Sequence, residues 1–256
     1  VYALFDVLVW CSRGAAGRDA GSDVASPIMR SNPMHWTTQD EESTEVATRA
    51  GDPGAAGADS DPVLGDAIEQ LCCLLDEARR RRLEGGDTAS LATADVAGRP
   101  SVRTVTIAKV DAVGPVFFVD ARSGKGRQLS DNPRAALCFF WPGLHYQVNI
   151  EGTVTPMEAS RADRLWARRG RDQQLAAWVR DMGPDTAGVP GDDGRRLRIG
   201  HDFAWQRVAR PESWHCLVLQ PEMIRFWPVV WRNPRPIKEY RRGEDGTWSK
   251  NASSPL

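Results

Sequence analysis

The sequence predicts a mainly β domain with flanking helices, an α+β protein. Three observations carry that. Between 101 and 152 the chain holds runs rich in β-branched and aromatic residues, at 102–110, 116–119 and 135–141, continuing at 146–150. Gly114-Pro115 and Pro142-Gly143 punctuate these runs as turns. The longer helical patterns lie before and after this block, and no GxGxxG motif is present, which argues against a doubly wound nucleotide fold.

Taken in order, residues 1–61 read as a disordered or loosely attached tail, and residues 62–256 as the folded domain. The apolar start VYALFDVLVW is too short to span a bilayer and lacks the pattern of a secretory signal. The Val start points to an alternative start codon or an over-extended gene boundary, with Met29 and Met34 as later candidate starts. Asp61-Pro62 opens a helix as N-cap and first-turn proline. Leu64, Ile68, Leu71, Leu75 and Ala78 give that helix one apolar face, and Gly85-Gly86 ends it. The arginines at 79–82 read as a solvated helix end rather than a nucleic-acid patch. Residues 89–94 form the first strand, and 95–100 turn into the second.

After the strand block, 160–169 and 172–180 return to helical patterning. Residues 183–200 read as a mobile loop. Residues 214–227 read as paired strands around a Gln220-Pro221 turn, and 240–248 as a last hairpin. Most of the ten tryptophans are expected in the core or in a subunit interface.

The composition excludes several classes. Net charge is −1, with 33 basic and 34 acidic residues, so bulk electrostatics argues for neither nucleic acid nor membrane. The five cysteines show no metal spacing, and no zinc site is expected. Cys72, Cys73 and Cys138 fall in apolar runs and read as small buried hydrophobes, and a reducing cytoplasm is the expected location.

One segment points to chemistry. Residues 122–127, RSGKGR, are a basic glycine-containing turn opening a short helix that ends near Asp131-Asn132-Pro133. Free N–H groups and the helix dipole favour an anion there, and lysine or arginine adds a full charge. A solvated basic loop is the alternative.

The ordered set of 103–109, PVFFVDARSGKGRQL, NPRAALCFFW and QVNIEG resembles the flavin-binding core of the pyridoxamine 5′-phosphate oxidase family, and the likeness extends over 62–248. The resemblance implies a homodimeric split β-barrel holding FMN between two subunits. It implies that Arg103, Ser123 and Lys125 hold the flavin phosphate, with Arg122 compensating for Gly124, where the family usually carries an arginine. Thr104, Val105, Phe118 and Val119 fall on the strands that pass the flavin. Gln147 matches a glutamine bonded to the isoalloxazine, and Trp227 a tryptophan that flanks the ring from the partner subunit. N-terminal segments fold over the active site in that family, which leaves a lid role open for 1–61.

The departures concern the substrate. Ala108 stands where the family's pyridoxal-phosphate producers carry lysine, with Lys109 one residue late and on the opposite strand face. Leu165 replaces a tyrosine and Gln173 a serine, while Arg169 is kept. An Arg-Leu-His-Asp-Arg motif is replaced by residues 233–237, and Met182-Gly183 replaces a Gln-Ser pair that touches FMN. Leu165-Trp166 and the absent lysine are more similar to the phenazine-biosynthesis flavin oxidases. The resemblance thus implies an FMN-dependent oxidase that removes hydride from a small reduced cyclic or amine substrate, with dioxygen as acceptor, in specialised metabolism. Arg169 and Arg235 are candidates to hold a substrate carboxylate or phosphate, and no catalytic acid or base stands out. A vitamin B6 phosphate oxidase, or a non-catalytic flavin, deazaflavin or haem carrier, are the alternatives.

Overall fold

The structure, a computed structural model, describes residues 61–181, 191–229 and 235–253. The expected tail as far as residue 60, Met182-Gly183 and the first two residues of the replaced 233–237 motif lie outside the described residues. No helix among the described residues is long and apolar enough to cross a membrane.

Asp61 caps α1 (Pro62–Arg80), its Oδ1 accepting the Val63 N–H at 2.8 Å. The apolar face buries Ala67, Ile68, Leu71, Leu75 and Ala78. The helix stops ahead of the expected glycines. Arg82 takes the left-handed backbone, and the Leu83 N–H closes on the Ala78 carbonyl at 3.0 Å, so the last turn satisfies its own carbonyls.

The remaining elements are β1 (Thr88–Ala94), β2 (Pro100–Asp111), β3 (Gly114–Asp120), α2 (Gly124–Asp131), β4 (Arg134–Trp141), β5 (Tyr146–Pro156), α3 (Ala159–Ala167), α4 (Arg171–Asp181), α5 (Gly191–Asp202), β6 (Trp214–Pro228), β7 (Ile237–Arg242) and β8 (Trp248–Ser253). The strands pair antiparallel in the order β3-β2-β1-β4-β5-β6. Strand β6 returns to β3 and closes a six-stranded barrel, while β7 and β8 extend the sheet from β6.

Two expectations are corrected here. Residues 214–227 do not turn at Gln220-Pro221; they lie within one 15-residue strand. Glu151 faces Met223 and Gly152 faces Pro221, so Glu222 is an extra residue, a bulge that accommodates a proline with no ladder N–H to give. The expected loop at 183–200 includes a helix from Gly191 onward, although three glycines fall at 191, 194 and 200.

The apolar residues form two layers. Val105, Ile107, Phe117, Val119, Leu137, Phe139, Val148, Ile150, Leu217 and Ile224 belong to the barrel core, with α1 packed onto it. Val116, Phe118, Trp166, Ala177, Trp214, Cys216 and Val218 form a second cluster between the outside of β3 and β6 and the helices α3 and α4. Strand β3 is therefore buried on both faces, which explains its unbroken apolar run. Trp141, Trp166 and Trp214 are buried as expected, whereas Trp205 is 98% exposed. The cysteine expectation also changes: among the described residues Cys73 is exposed, Cys72 and Cys138 are half-buried, and Cys216 is buried.

Gly152 makes the bulge possible, since a Cβ there would sit 2.0 Å from the Gln220 carbonyl oxygen. Gly152→Ala should therefore cost at least ~1–3 kcal/mol, read as a lower urea midpoint at unchanged m-value. An unaltered midpoint would show that the bulge relaxes freely.

Candidate functional site

The basic turn folds as a tight strand-to-helix junction. Ser123 is the N-cap of α2: its Oγ accepts the Gly126 N–H at 3.1 Å and donates to the Asp120 carbonyl at 2.6 Å. Gly126 is required by close approach, because a Cβ would lie 2.3 Å from the Asp120 carbonyl oxygen. The glycine, more than its basic neighbours, lets the start of α2 sit against the end of β3.

Arg103 reaches the same place from β2. Its Nη1 donates to Thr93 Oγ1 at 2.6 Å and to the Leu91 carbonyl at 3.2 Å, and its Nη2 to Gln128 Oε1 at 3.3 Å. The Thr93 hydroxyl donates to that same Gln128 oxygen at 2.6 Å. Thr93 and Gln128 thus aim the guanidinium without neutralising it. Neither is charged, and sequence reasoning gave neither a role, although Gln128 falls within PVFFVDARSGKGRQL; Thr93, a buried polar side chain, becomes conspicuous only in the fold.

Lys125, in the first turn of α2, has no hydrogen bond or ion pair among the described residues. Burial depresses its ammonium pKa, and the positive charges of Arg103 and Arg180 depress it further, against a partial counter-effect from Asp120. Burial alone lowers Arg103. Two converging cations at a helix start, neither held by a carboxylate, fit a phosphate dianion. Arg122 is engaged elsewhere: its guanidinium binds Asp181 Oδ1 at 2.6 Å and the Asp181 carbonyl at 3.0 Å.

A second cation site lies on the outer side of β3. The Arg169 guanidinium carbon lies 5.0 Å from the Phe118 ring centroid, 5.5 Å from Trp166 and 5.7 Å from Trp214. Its Nε is buried with no partner, as is the indole Nε1 of Trp214. Burial, then the charge of Arg180, lowers the Arg169 pKa. An arginine walled by three rings, with two orphaned donors beside it, is a site for a planar or anionic group.

The register corrects the expectation for Lys109. Ile107 pairs with Phe117 and Lys109 with Val116, so Ala108 is a bulge. Ile107 and Val110 both pack against the barrel core, and Ala108 against the outer cluster. Lys109 therefore leaves the strict alternation; its Nζ lies 3.1 Å from Asp111 Oδ2, and its charge reaches Cys216 of the outer cluster.

The other predicted residues do not join the phosphate cluster. Thr104 is exposed on β2 and Val105 faces the core, paired with Ser90 and Ala89 of β1. Val119 points into the barrel core and Phe118 out toward Arg169. Gln147 and Trp227 are direct cross-strand neighbours on β5 and β6. Gln147 precedes the core residue Val148, so it lies on the outer barrel face, beside Phe140, which is 48% exposed. Two strands, β1 and β4, separate Gln147 from Arg103, which shares the inward parity of Val105 and Ile107. Arg235 is exposed just ahead of β7.

Comparisons with known proteins agree with this fold. A family profile described as pyridoxamine 5′-phosphate oxidase matches residues 75–215, more than half of the chain. A pyridoxine/pyridoxamine 5′-phosphate oxidase from Anaeromyxobacter dehalogenans is 39% identical over 190 residues, 74% of this chain and 96% of that one. The protein of the same name from Maricaulis maris is 38% identical over 153 residues, 60% and 69% of the two chains. Among solved structures, PhzG from Burkholderia lata, in complex with tetrahydrophenazine-1-carboxylic acid, superposes with a TM-score of 0.64 at 24% identity, covering 80% of this chain and 95% of that one. A pyridoxamine 5′-phosphate oxidase-related, FMN-binding protein from Nostoc punctiforme gives 0.54 at 20%, covering 78% and 100%. These two structural likenesses speak for the fold.

A lysine whose pKa is depressed in the folded state destabilises that state while it is protonated, and the penalty fades as pH rises toward the unfolded lysine value. Lys125→Met should therefore raise the melting temperature of the ligand-free protein by a few degrees at neutral pH. The gain should shrink at strongly alkaline pH. A lower melting temperature at neutral pH would show that the lysine is stabilising as it stands.

Proposed function

The chain belongs to the pyridoxamine 5′-phosphate oxidase family, and from that premise we propose that it is an FMN-dependent oxidase of a small reduced substrate carrying an anionic group. One observation carries the substrate half: Arg169 sits among Phe118, Trp166 and Trp214 with its Nε unpartnered. FMN is the cofactor that the family implies, and the Arg103–Lys125 cluster fits its phosphate. Bound FMN supplies hydride acceptance from the substrate and electron transfer to dioxygen, giving hydrogen peroxide.

The protein's part is positional. Arg103, Lys125 and the start of α2 hold the phosphate, and Ser123 keeps the turn in shape for it. Arg169 fixes the substrate's carboxylate or phosphate, and the three rings around it exclude water and strengthen that contact. No side chain is assigned a proton-transfer role. Leu165, Gln173 and Ala108, in place of tyrosine, serine and lysine, favour a substrate other than a vitamin B6 phosphate. A reduced cyclic carboxylic acid in specialised metabolism suits this set.

A second reading, pyridoxamine 5′-phosphate oxidation, is favoured by the bulge at Ala108, which frees Lys109 from the inward face. Kinetics separate the two. Anaerobic mixing with a reduced cyclic carboxylic acid should bleach the flavin, and Arg169→Gln should slow that about tenfold or more. Pyridoxamine 5′-phosphate should give a kcat/KM well below ~10⁴ M⁻¹s⁻¹. A value at or above that mark selects the second reading.

The active form is a homodimer. Gln147 and Trp227 share one outer patch with Phe140, apart from the phosphate cluster of the same chain, so one flavin draws on both patches only across two copies. Light scattering should give twice the chain mass, and Phe140→Glu should produce monomers that lose flavin. A flavin-loaded monomer at micromolar concentration would overturn this.

A further inference from the structure

Resting on the FMN reading above, we propose that Arg180, at the end of α4, is a third cation of the cofactor-phosphate site and supplies the charge that Gly124 does not. The turn 122–127 places Lys125 beside Arg103, while its own Arg122 is tied to Asp181 at 2.6 Å and 3.0 Å. That same ion pair draws the end of α4 onto the start of α2. Asp181 is also bonded by Ser213 Oγ, and the Ala121 N–H donates to the Ser213 carbonyl at 2.7 Å, so three segments are pinned at one point. Arg180 is the next residue along. It is exposed, with no hydrogen bond or carboxylate partner among the described residues. Its positive charge acts on Lys125 and on Arg169 alike, so it is within electrostatic reach of both the phosphate cluster and the outer cation site. A Cβ on Gly124 would meet nothing within 4 Å, so the turn is open beside Lys125 and a mobile guanidinium can close over a bound phosphate.

A cation in this position stabilises a phosphate and is indifferent to the ring that bears it. Flavin fluorescence titrations of the full-length apoprotein, with FMN and with riboflavin, test this directly. Arg180→Ala and Arg180→Gln should each weaken FMN about tenfold, leave riboflavin affinity unchanged and flatten the salt dependence of FMN binding. Adding Gly124→Arg to Arg180→Ala should restore most of the loss, because that position offers space and lies beside Lys125. Equal weakening of FMN and riboflavin would assign Arg180 a purely structural role and overturn the proposal. Wild-type FMN affinity in both Arg180 variants, with Lys125→Ala clearly weakened, would exclude Arg180 and leave the phosphate site standing. Riboflavin binding the wild-type protein as tightly as FMN would remove the phosphate site and Arg180 with it.

Discussion

The pairing of β3 with the first third of β6 is the constraint on which the other features rest. Val116–Asp120 face Trp214–Val218, and that ladder turns an open sheet into a closed barrel. A closed sheet has no free edge between those strands, and its inner side chains must fill the space they enclose. The same closure positions the chemistry. It fixes the end of β3, and hence the turn bearing Ser123 and Lys125, and it sets Phe118 against Trp166 and Trp214. Strand β6 spans several jobs because its two edges are shared: β5 lies along one, while β3 and then β7 lie along the other.

Electrostatics adds a second layer. Arg103, Lys125, Arg169 and Arg180 share a region in which the charge of Asp120 only partly offsets theirs at Lys125. Like charges brought together and partly desolvated weaken the fold locally, and an arriving anion relieves that cost. Thr93 and Gln128 show how the protein tolerates it: neutral oxygens orient Arg103 while leaving its charge uncompensated.

Local patterns in the chain foretold most elements. Strands β1 to β5, the helix start at Asp61 and the last hairpin follow from alternation, capping and turn residues, whose causes lie within a few positions. Pro221 misled because a turn and a proline-bearing bulge look alike until the partner strand is known; Gly152, the residue that admits the bulge, is about seventy positions away. The helix at α5 was hidden by its glycines. In the site, the charged residues were legible by type, whereas their supports were not. Thr93, Gln128 and Trp214 have ordinary identities and gain meaning only from what packs around them. The pairing of Arg122 with Asp181 likewise bridges 59 positions and leaves no local trace.

The two-sided burial of β3 has an evolutionary consequence. Phe117 and Val119 answer to the barrel, while Val116 and Phe118 answer to the helices laid over it. Selection can therefore resculpt the overlying layer, on α3 and α4, without renegotiating the barrel wall beneath. Most of the positions expected to differ fit that division: Leu165 and Gln173 lie in the helical layer, and Ala108, though on β2, packs outward against that layer, whereas Arg103, Ser123 and Lys125 lie on or beside the wall. One strand, read from opposite sides, lets a lineage keep its cofactor while changing its diet.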